Sequence, residues 1–164
     1  MTNWSSFTKK LGVNAPIEKL YWAWSTQEGI ESWFLRKAIY TKLNGATRKP
    51  EEPIQAGDEY LWHWHGFPDS VNEANKIVSA NGKDQLQFYF TGNCLVTVSL
   101  ESFKGQTIVS ITQENIPEDQ NPKTNLLVGC GEGWTFYLAN LKSILEGGVD
   151  LRNKDEELTG VINS

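Results

Sequence analysis

The residues GEGWTFYLANLKSILE at 131–146 carry the longest clean helical pattern in the chain and constrain its fold more than any other stretch. Trp134, Leu138, Leu141 and Leu145 recur at three- and four-residue steps, the spacing of one helical face. Tyr137 and Ile144 widen that stripe, while Lys142 and Ser143 fall on the other side. Gly147-Gly148 then stops the helix, because glycine accepts the left-handed cap without a steric penalty. Nearly everything before this stretch reads as strands. A lone amphipathic helix cannot hide its stripe, so a sheet must cover it. The expectation is a sheet that curls around this helix, with any space left between them serving as the functional site.

The preceding chain supplies that sheet. Thr2 to Val13 reads as a first strand, with Phe7, Lys9 and Leu11 alternating against Ser6, Thr8 and Lys10. Pro16 opens a helix with Ile17, Leu20, Tyr21 and Trp24 on one face. Thr26 caps a second short helix whose buried side is Ile30, Trp33 and Phe34. From Ala38 the pattern changes to period two and gives about six strands joined by turns such as Asn44-Gly45 and Asn81-Gly82. Short connections make neighbours antiparallel, and a twisted sheet of that size curls. Residues 115–131 read as a connection, and the tail beyond about residue 152 as a segment that frays. With no linker or repeat, residues 1–164 read as one α+β domain: a curved antiparallel sheet around a long C-terminal helix, with two short helices near the N-terminus.

Composition narrows the function classes. A net charge of -5 and no basic, aromatic-studded run argue against nucleic acid as a partner. No stretch approaches the roughly 20 apolar residues of a membrane helix, and the N-terminus lacks an apolar signal core. A cytoplasmic location is the expectation. Cys94 and Cys130 are too few for a disulfide framework or a four-cysteine metal site, so each is expected to be a buried free thiol. The 7 Trp, 7 Phe and 5 Tyr fit either a filled core or the aromatic wall of a cavity.

Five segments, in this order and spacing, resemble the START-like or helix-grip superfamily: APIEKLYWAWSTQEGIESWF at 15–34, QAGDEYLW at 55–62, KDQLQFYF at 83–90, GQTIVSITQENI at 105–116 and GWTFYLANLKSILEGGVDLR at 133–152. Within that superfamily the chain is similar to the family named for the activator of the ninety-kilodalton heat-shock chaperone's ATPase. The resemblance implies a groove between the sheet and the last helix, and a link to the stress response. It does not fix one activity, because the superfamily holds lipid carriers, polyketide binders, cyclases and chaperone cofactors.

The residues themselves point to binding rather than catalysis. Tyr60, Trp62 and Trp64 share one face of a strand and match Phe88 and Phe90 on a later one. Trp33 and Phe34 close one end of the expected cavity, and Trp134 and Leu138 form its floor. Gln113, in line with Val109 and Ile111, either bonds a neighbouring side chain or faces the cavity. Glu132 reads as a helix cap, with a polar ligand anchor as the alternative. His63 and His65 share the face opposite Trp62 and read as solvated, without a third metal ligand. The glycines at 129, 131 and 133 lack a phosphate-loop lysine and read as flexibility at the cavity mouth. No catalytic residue, metal or cofactor is expected. The favoured function is binding of a small hydrophobic or aromatic ligand. A protein-interaction module of the cochaperone type comes second, and a cyclase- or hydrolase-like enzyme third. The oligomeric state is left open.

Overall fold

In the computed structural model, which describes residues 3–121 and 124–162, the first strand pairs with the last. β1 (Phe7–Val13) lies antiparallel to β7 (Gln106–Glu114), with Leu11 opposite Val109. Two helices follow β1: α1 (Ile17–Ser25) and α2 (Gln27–Glu31). The rest is a meander, β2 (Lys37–Thr41), β3 (Glu59–His63), β4 (Asn72–Ala80), β5 (Gln85–Phe90), β6 (Cys94–Phe103) and β7, closed by α3 (Leu126–Leu145). The spatial order is β1-β7-β6-β5-β4-β3-β2, antiparallel throughout. This is the helix-grip architecture that the sequence predicts. The expected strand start at Thr2 lies outside the described residues, and Phe7 is the first residue in the ladder.

The sheet curls because β4 is shared. Asn72 to Lys76 pair with β3, whereas Ile77 to Ala80 pair with β5, and a register shift between Ile77 and Ser79 marks the bend. A bulge of this kind sharpens the local twist and turns the strand. The concave face then collects Trp62, Ile77, Leu86, Phe88, Val96, Val98, Val109 and Ile111, each at most 1% exposed. Each large apolar side chain buried so completely contributes about 1.5–3 kcal/mol. Trp134, Leu138 and Leu141 of α3 meet them from the other side and are themselves buried.

α1 and α2 close one end of the grip. Thr26 caps α2, its hydroxyl accepting the Gly29 N–H at 2.9 Å. Gly29 sits where the two helices bend against each other: a Cβ there would lie 2.0 Å from the Trp22 carbonyl oxygen, so no side chain fits. The residue that weakens α2 as a helix is the one that lets it pack on α1.

Two tethers hold α3. Lys142 donates to the Gly12 carbonyl at 2.7 Å, fixing the helix to β1. Beyond the helix the chain doubles back, and Asn140, fully buried, accepts the Leu151 N–H at 2.7 Å and donates to the Trp33 carbonyl at 2.8 Å. Arg152 follows, also buried. Its guanidinium donates to the carbonyls of Glu31 and Ser32 at the end of α2, to that of Leu35 just beyond it, and to Asp150. Fraying therefore cannot begin before residue 153; the described residues from 154 onward are exposed.

α3 begins at Leu126, five residues before the sequence pattern places it. The Asn125 side chain caps it, accepting from Leu127 N at 2.9 Å and Val128 N at 3.3 Å. Glu132 consequently lies inside the helix and exposed, not at its cap. The glycines at 129, 131 and 133 hid the first turns, since each lowers helix propensity by about 1 kcal/mol against alanine.

Candidate functional site

Four rings from four parts of the chain meet at the open end of the grip in T-shaped and tilted contacts. Phe34 follows α2, Trp64 follows β3, Phe90 ends β5 and Trp134 sits on α3. Their centroids form a closed circuit: Phe34 to Trp64 5.9 Å, Trp64 to Phe90 6.4 Å, Phe90 to Trp134 5.4 Å and Trp134 to Phe34 5.1 Å. Tyr137 stands one turn along α3 from Trp134, with its ring 4.7 Å from Phe34. Mixed edge and tilted contacts at these distances are favourable ring geometries.

These rings and the first two turns of α3 surround a pocket of about 260 Å³. Gly129 and Gly133 lie four apart and so on one helical face, which they present to the pocket as bare backbone. A Cβ built at either would meet nothing within 4 Å. The space thus exists because side chains are missing where the helix passes the rings. Thr91, Cys130 and Asn125 supply polar edges, and none of the described lining residues carries a charge.

Gln113 lies behind this wall, with no exposed surface. Its Oε1 accepts the Trp134 indole N–H at 2.9 Å, and its Nε2 donates to the Thr91 hydroxyl at 3.4 Å. Of the two roles open to it in the sequence, it takes the first and bonds neighbouring side chains. Cys130 is half-buried, and burial pushes its thiol up despite hydrogen bonding with Gln113 and Thr91. A thiol held protonated is a poor nucleophile.

Of the ten residues the sequence singled out, Phe34, Trp64, Phe90 and Trp134 line the pocket. Trp33, Tyr60, Trp62, Phe88, Gln113 and Leu138 form the packed interior beneath it, each at most 3% exposed. Trp33 donates its indole N–H to the Ala23 carbonyl at 2.8 Å, and Trp62 donates to the Tyr40 hydroxyl at 3.2 Å. Tyr60 stacks on Trp62 at 3.9 Å and donates its hydroxyl to the Tyr89 carbonyl. Thr91, Thr124, Asn125, Leu126, Gly129, Cys130, Gly133 and Tyr137 complete the pocket and were not singled out as lining. The i, i+4 pair of glycines was the available signal, but it becomes one only once the helix is known to begin at Leu126.

His63 is buried at 7% exposure, against the expectation that it is solvated. The segment after β3 folds back over that side of the strand: Arg36 donates its backbone N–H to the His63 carbonyl at 2.9 Å and ion-pairs with Asp69. The Asp69 carboxylate thereby lies 3.9 Å from the His63 Nδ1. His65 is half-exposed, and burial with the nearby Arg152 and Lys154 charges pushes its pKa down. No group of three metal-ligating side chains comes together among the described residues, and no described helix is long and apolar enough to cross a membrane.

Comparison with known proteins adds the following. The model of the family described as Activator of Hsp90 ATPase homolog 1-like protein matches residues 14–146. The crystal structure of SSP2350 from Staphylococcus saprophyticus is similar at a TM-score of 0.68 and 20% identity, over 90% of this chain and 96% of that one. The solution structure of the Aha1 dimer from Colwellia psychrerythraea matches at 0.68 and 19% identity, over 87% and 97%. The crystal structure of DynU16, a protein in the dynemicin biosynthetic locus, matches at 0.68 and 17% identity, over 92% of this chain and 50% of that one. No curated protein sequence matches. At such identities the structural likeness speaks for the fold.

Proposed function

Because the chain belongs to the Activator of Hsp90 ATPase homolog 1-like family, whose members include binders and chaperone regulators, we propose that it binds a small hydrophobic or aromatic molecule in the pocket between Phe34, Phe90 and α3. The observation that carries this reading is the bare helical face at Gly129 and Gly133 opposite a closed circuit of rings. Aromatic-lined concave sites with few polar groups are the usual form of small-molecule pockets. Catalysis is not part of the proposal, since no acid–base pair converges among the described lining residues.

Trp64 and Trp134 report on occupancy, so titration with naphthalene followed by tryptophan fluorescence tests the reading. Saturable quenching, together with an apolar compound released from native protein and seen by mass spectrometry, is the expected result. Protein that releases nothing and shows only linear, collisional quenching overturns it.

A second reading, a protein-interaction module acting on a heat-shock chaperone ATPase, draws on the family's name and on two exposed apolar residues near the start of α3. Trp4 is 62% exposed and borders Leu127, and Val128 follows at 49%. Stimulation of such an ATPase by this chain, lost on Trp4→Ser with naphthalene binding intact, supports that reading instead.

A further inference from the structure

A groove of about 320 Å³ runs beside α1 and shares no lining residue with the aromatic pocket. Ile17 and Tyr21 stand one turn apart on the helix, and Trp22 lies on the neighbouring row, four residues from Glu18. Pro53, from the segment before β3, completes a mainly apolar lining. Both walls are fixed. The Ile54 N–H donates to the Ser25 carbonyl at 2.7 Å and the Glu28 N–H to the Pro50 carbonyl at 3.1 Å, which pins the segment carrying Pro53 against the two helices. On the other side the Tyr21 phenol oxygen accepts the Gly82 N–H at 2.8 Å and holds the turn between β4 and β5. A groove already in shape costs little ordering when it is filled.

The hydrogen-bond donors along this groove are unspent. The Tyr21 oxygen accepts from Gly82, so its own proton is left to give, and no described residue takes it. Gly82 itself lines the groove, which sets this hydroxyl at the wall. Trp22 is half-buried, and its indole N–H has no hydrogen-bond partner among the described residues. The matching ligand is apolar, rich in carbonyl acceptors and poor in N–H donors. Proline-rich backbone has that chemistry: proline lacks an N–H, and the polyproline II helix leaves its carbonyls unpaired. Aromatic-lined grooves receive such segments in many recognition modules. Charge adds a direction. Glu18 and Glu51 line the groove against the single ammonium of Lys83, while the ammonium of Lys19 lies over the Trp22 ring at 3.9 Å.

We propose that this groove docks a proline-rich protein segment with a basic flank. Proline rings pack on Trp22 and Tyr21, backbone carbonyls take the indole N–H and the phenol O–H, and the basic side chain lies beside Glu18 and Glu51. The surface is separate from the small-molecule pocket and does not depend on its occupancy.

Fluorescence anisotropy with three dye-labelled peptides tests this: six prolines followed by two arginines, six prolines followed by two glutamates, and a glycine–serine chain followed by two arginines. Wild-type protein binds the first in a saturable way and at least about tenfold more tightly than the third, the scale of an aromatic anchor. The arginine flank is preferred to the glutamate flank by about two- to fivefold, the range of an exposed ion pair, and the preference shrinks as salt is raised. Trp22→Ala abolishes binding. Tyr21→Phe keeps the ring, loses only the hydroxyl and weakens binding about two- to tenfold, so the inference stays testable if the Trp22 variant does not fold. Glu51→Gln reduces the flank preference and leaves the fold unchanged. Absence of binding, equal binding of the proline and glycine–serine peptides, a preference for the glutamate flank, or wild-type affinity in Tyr21→Phe overturns the inference. So does a dimer, seen by sedimentation, that Trp22→Ala dissolves, because a second copy of the chain would then fill the groove.

Discussion

Trp134 on α3 donates its indole N–H to the Oε1 of Gln113 on β7 at 2.9 Å, and both side chains are buried. This bond couples the closing helix to the sheet at the floor of the pocket. Gln113→Met leaves the indole donor without an acceptor, and Trp134→Phe leaves the Gln113 oxygen without a donor. Each should cost about 1–3 kcal/mol, the penalty of an unsatisfied buried polar group. The double variant should lose less than the sum of the two. Urea denaturation of the four proteins measures the coupling, and strict additivity would mean the bond contributes nothing.

Replacing Gly133 with leucine should separate binding from stability. The new side chain enters open space at the pocket, and removing a glycine from a helix interior favours folding by about 1 kcal/mol. The variant is expected to melt at or above the wild-type temperature while naphthalene binding is lost. A lower melting temperature with binding retained contradicts the assigned position of the pocket.

Trp62→Ala should cost on the order of 3–5 kcal/mol, because the side chain is 1% exposed and packs against Tyr60, Phe34 and Phe88. Its neighbour in sequence behaves differently from what strand alternation alone implies. His63 is buried beneath the segment that carries Asp69, so His63→Ala should cost about 1–2 kcal/mol rather than the near-zero change of a surface site. Thermal melts of the pair check both values.

Asp150 gives the protein an acid-sensitive tether. Burial alone would raise its pKa, but hydrogen bonds from Arg152 and Lys154 outweigh burial and hold the carboxyl well below the usual carboxylate range. A folded-state pKa below the unfolded one contributes stability that is fully present above the ordinary value near 3.8 and is lost as pH falls through the lower folded value. Asp150→Asn should therefore lower stability at pH 7 and flatten its decline below about pH 4. Denaturation midpoints across that range give the test, and a parallel offset at every pH would exclude the carboxylate as the cause.

Arg152→Ala should be the most damaging change outside the aromatic core. It strips the carbonyls of Glu31, Ser32 and Leu35, and Asp150, of one buried cation and is expected to cost about 3 kcal/mol or more. Arg152→Lys recovers little, because one ammonium cannot reproduce the spread of the guanidinium. Hydrogen exchange at Ser32 to Leu35 reports the release directly.

How these features stood in the sequence follows from their physics. The stripe through Trp134, Leu138 and Leu141 and the alternation of Tyr60 with Trp62 are periodic, and periodicity survives translation into burial. The first turns of α3 were not legible, since Gly129, Gly131 and Gly133 argue locally against a helix that Asn125 and tertiary contacts impose. The pocket was half legible. Its rings announce themselves, but parity places Trp62 and Phe88 on the same inner face as Phe90 and says nothing of depth along the strand. His63 and Arg152 were hidden for another reason: each is buried by a distant or irregular segment, and such packing leaves no period to read.

The pairing of β1 with β7 also sets a schedule. Phe7 has no strand to join until Gln113 exists, and the Gly12 carbonyl has no lysine until residue 142 is made. At a synthesis rate of about 5–20 residues per second, the growing chain spends several seconds with its first strand unclaimed. During that interval the apolar side of Phe7, Leu11 and Val13 is exposed to whatever is nearby. Contacts so distant in sequence make folding slow, and here the grip cannot close until β7 and the helix that carries Lys142 have been made.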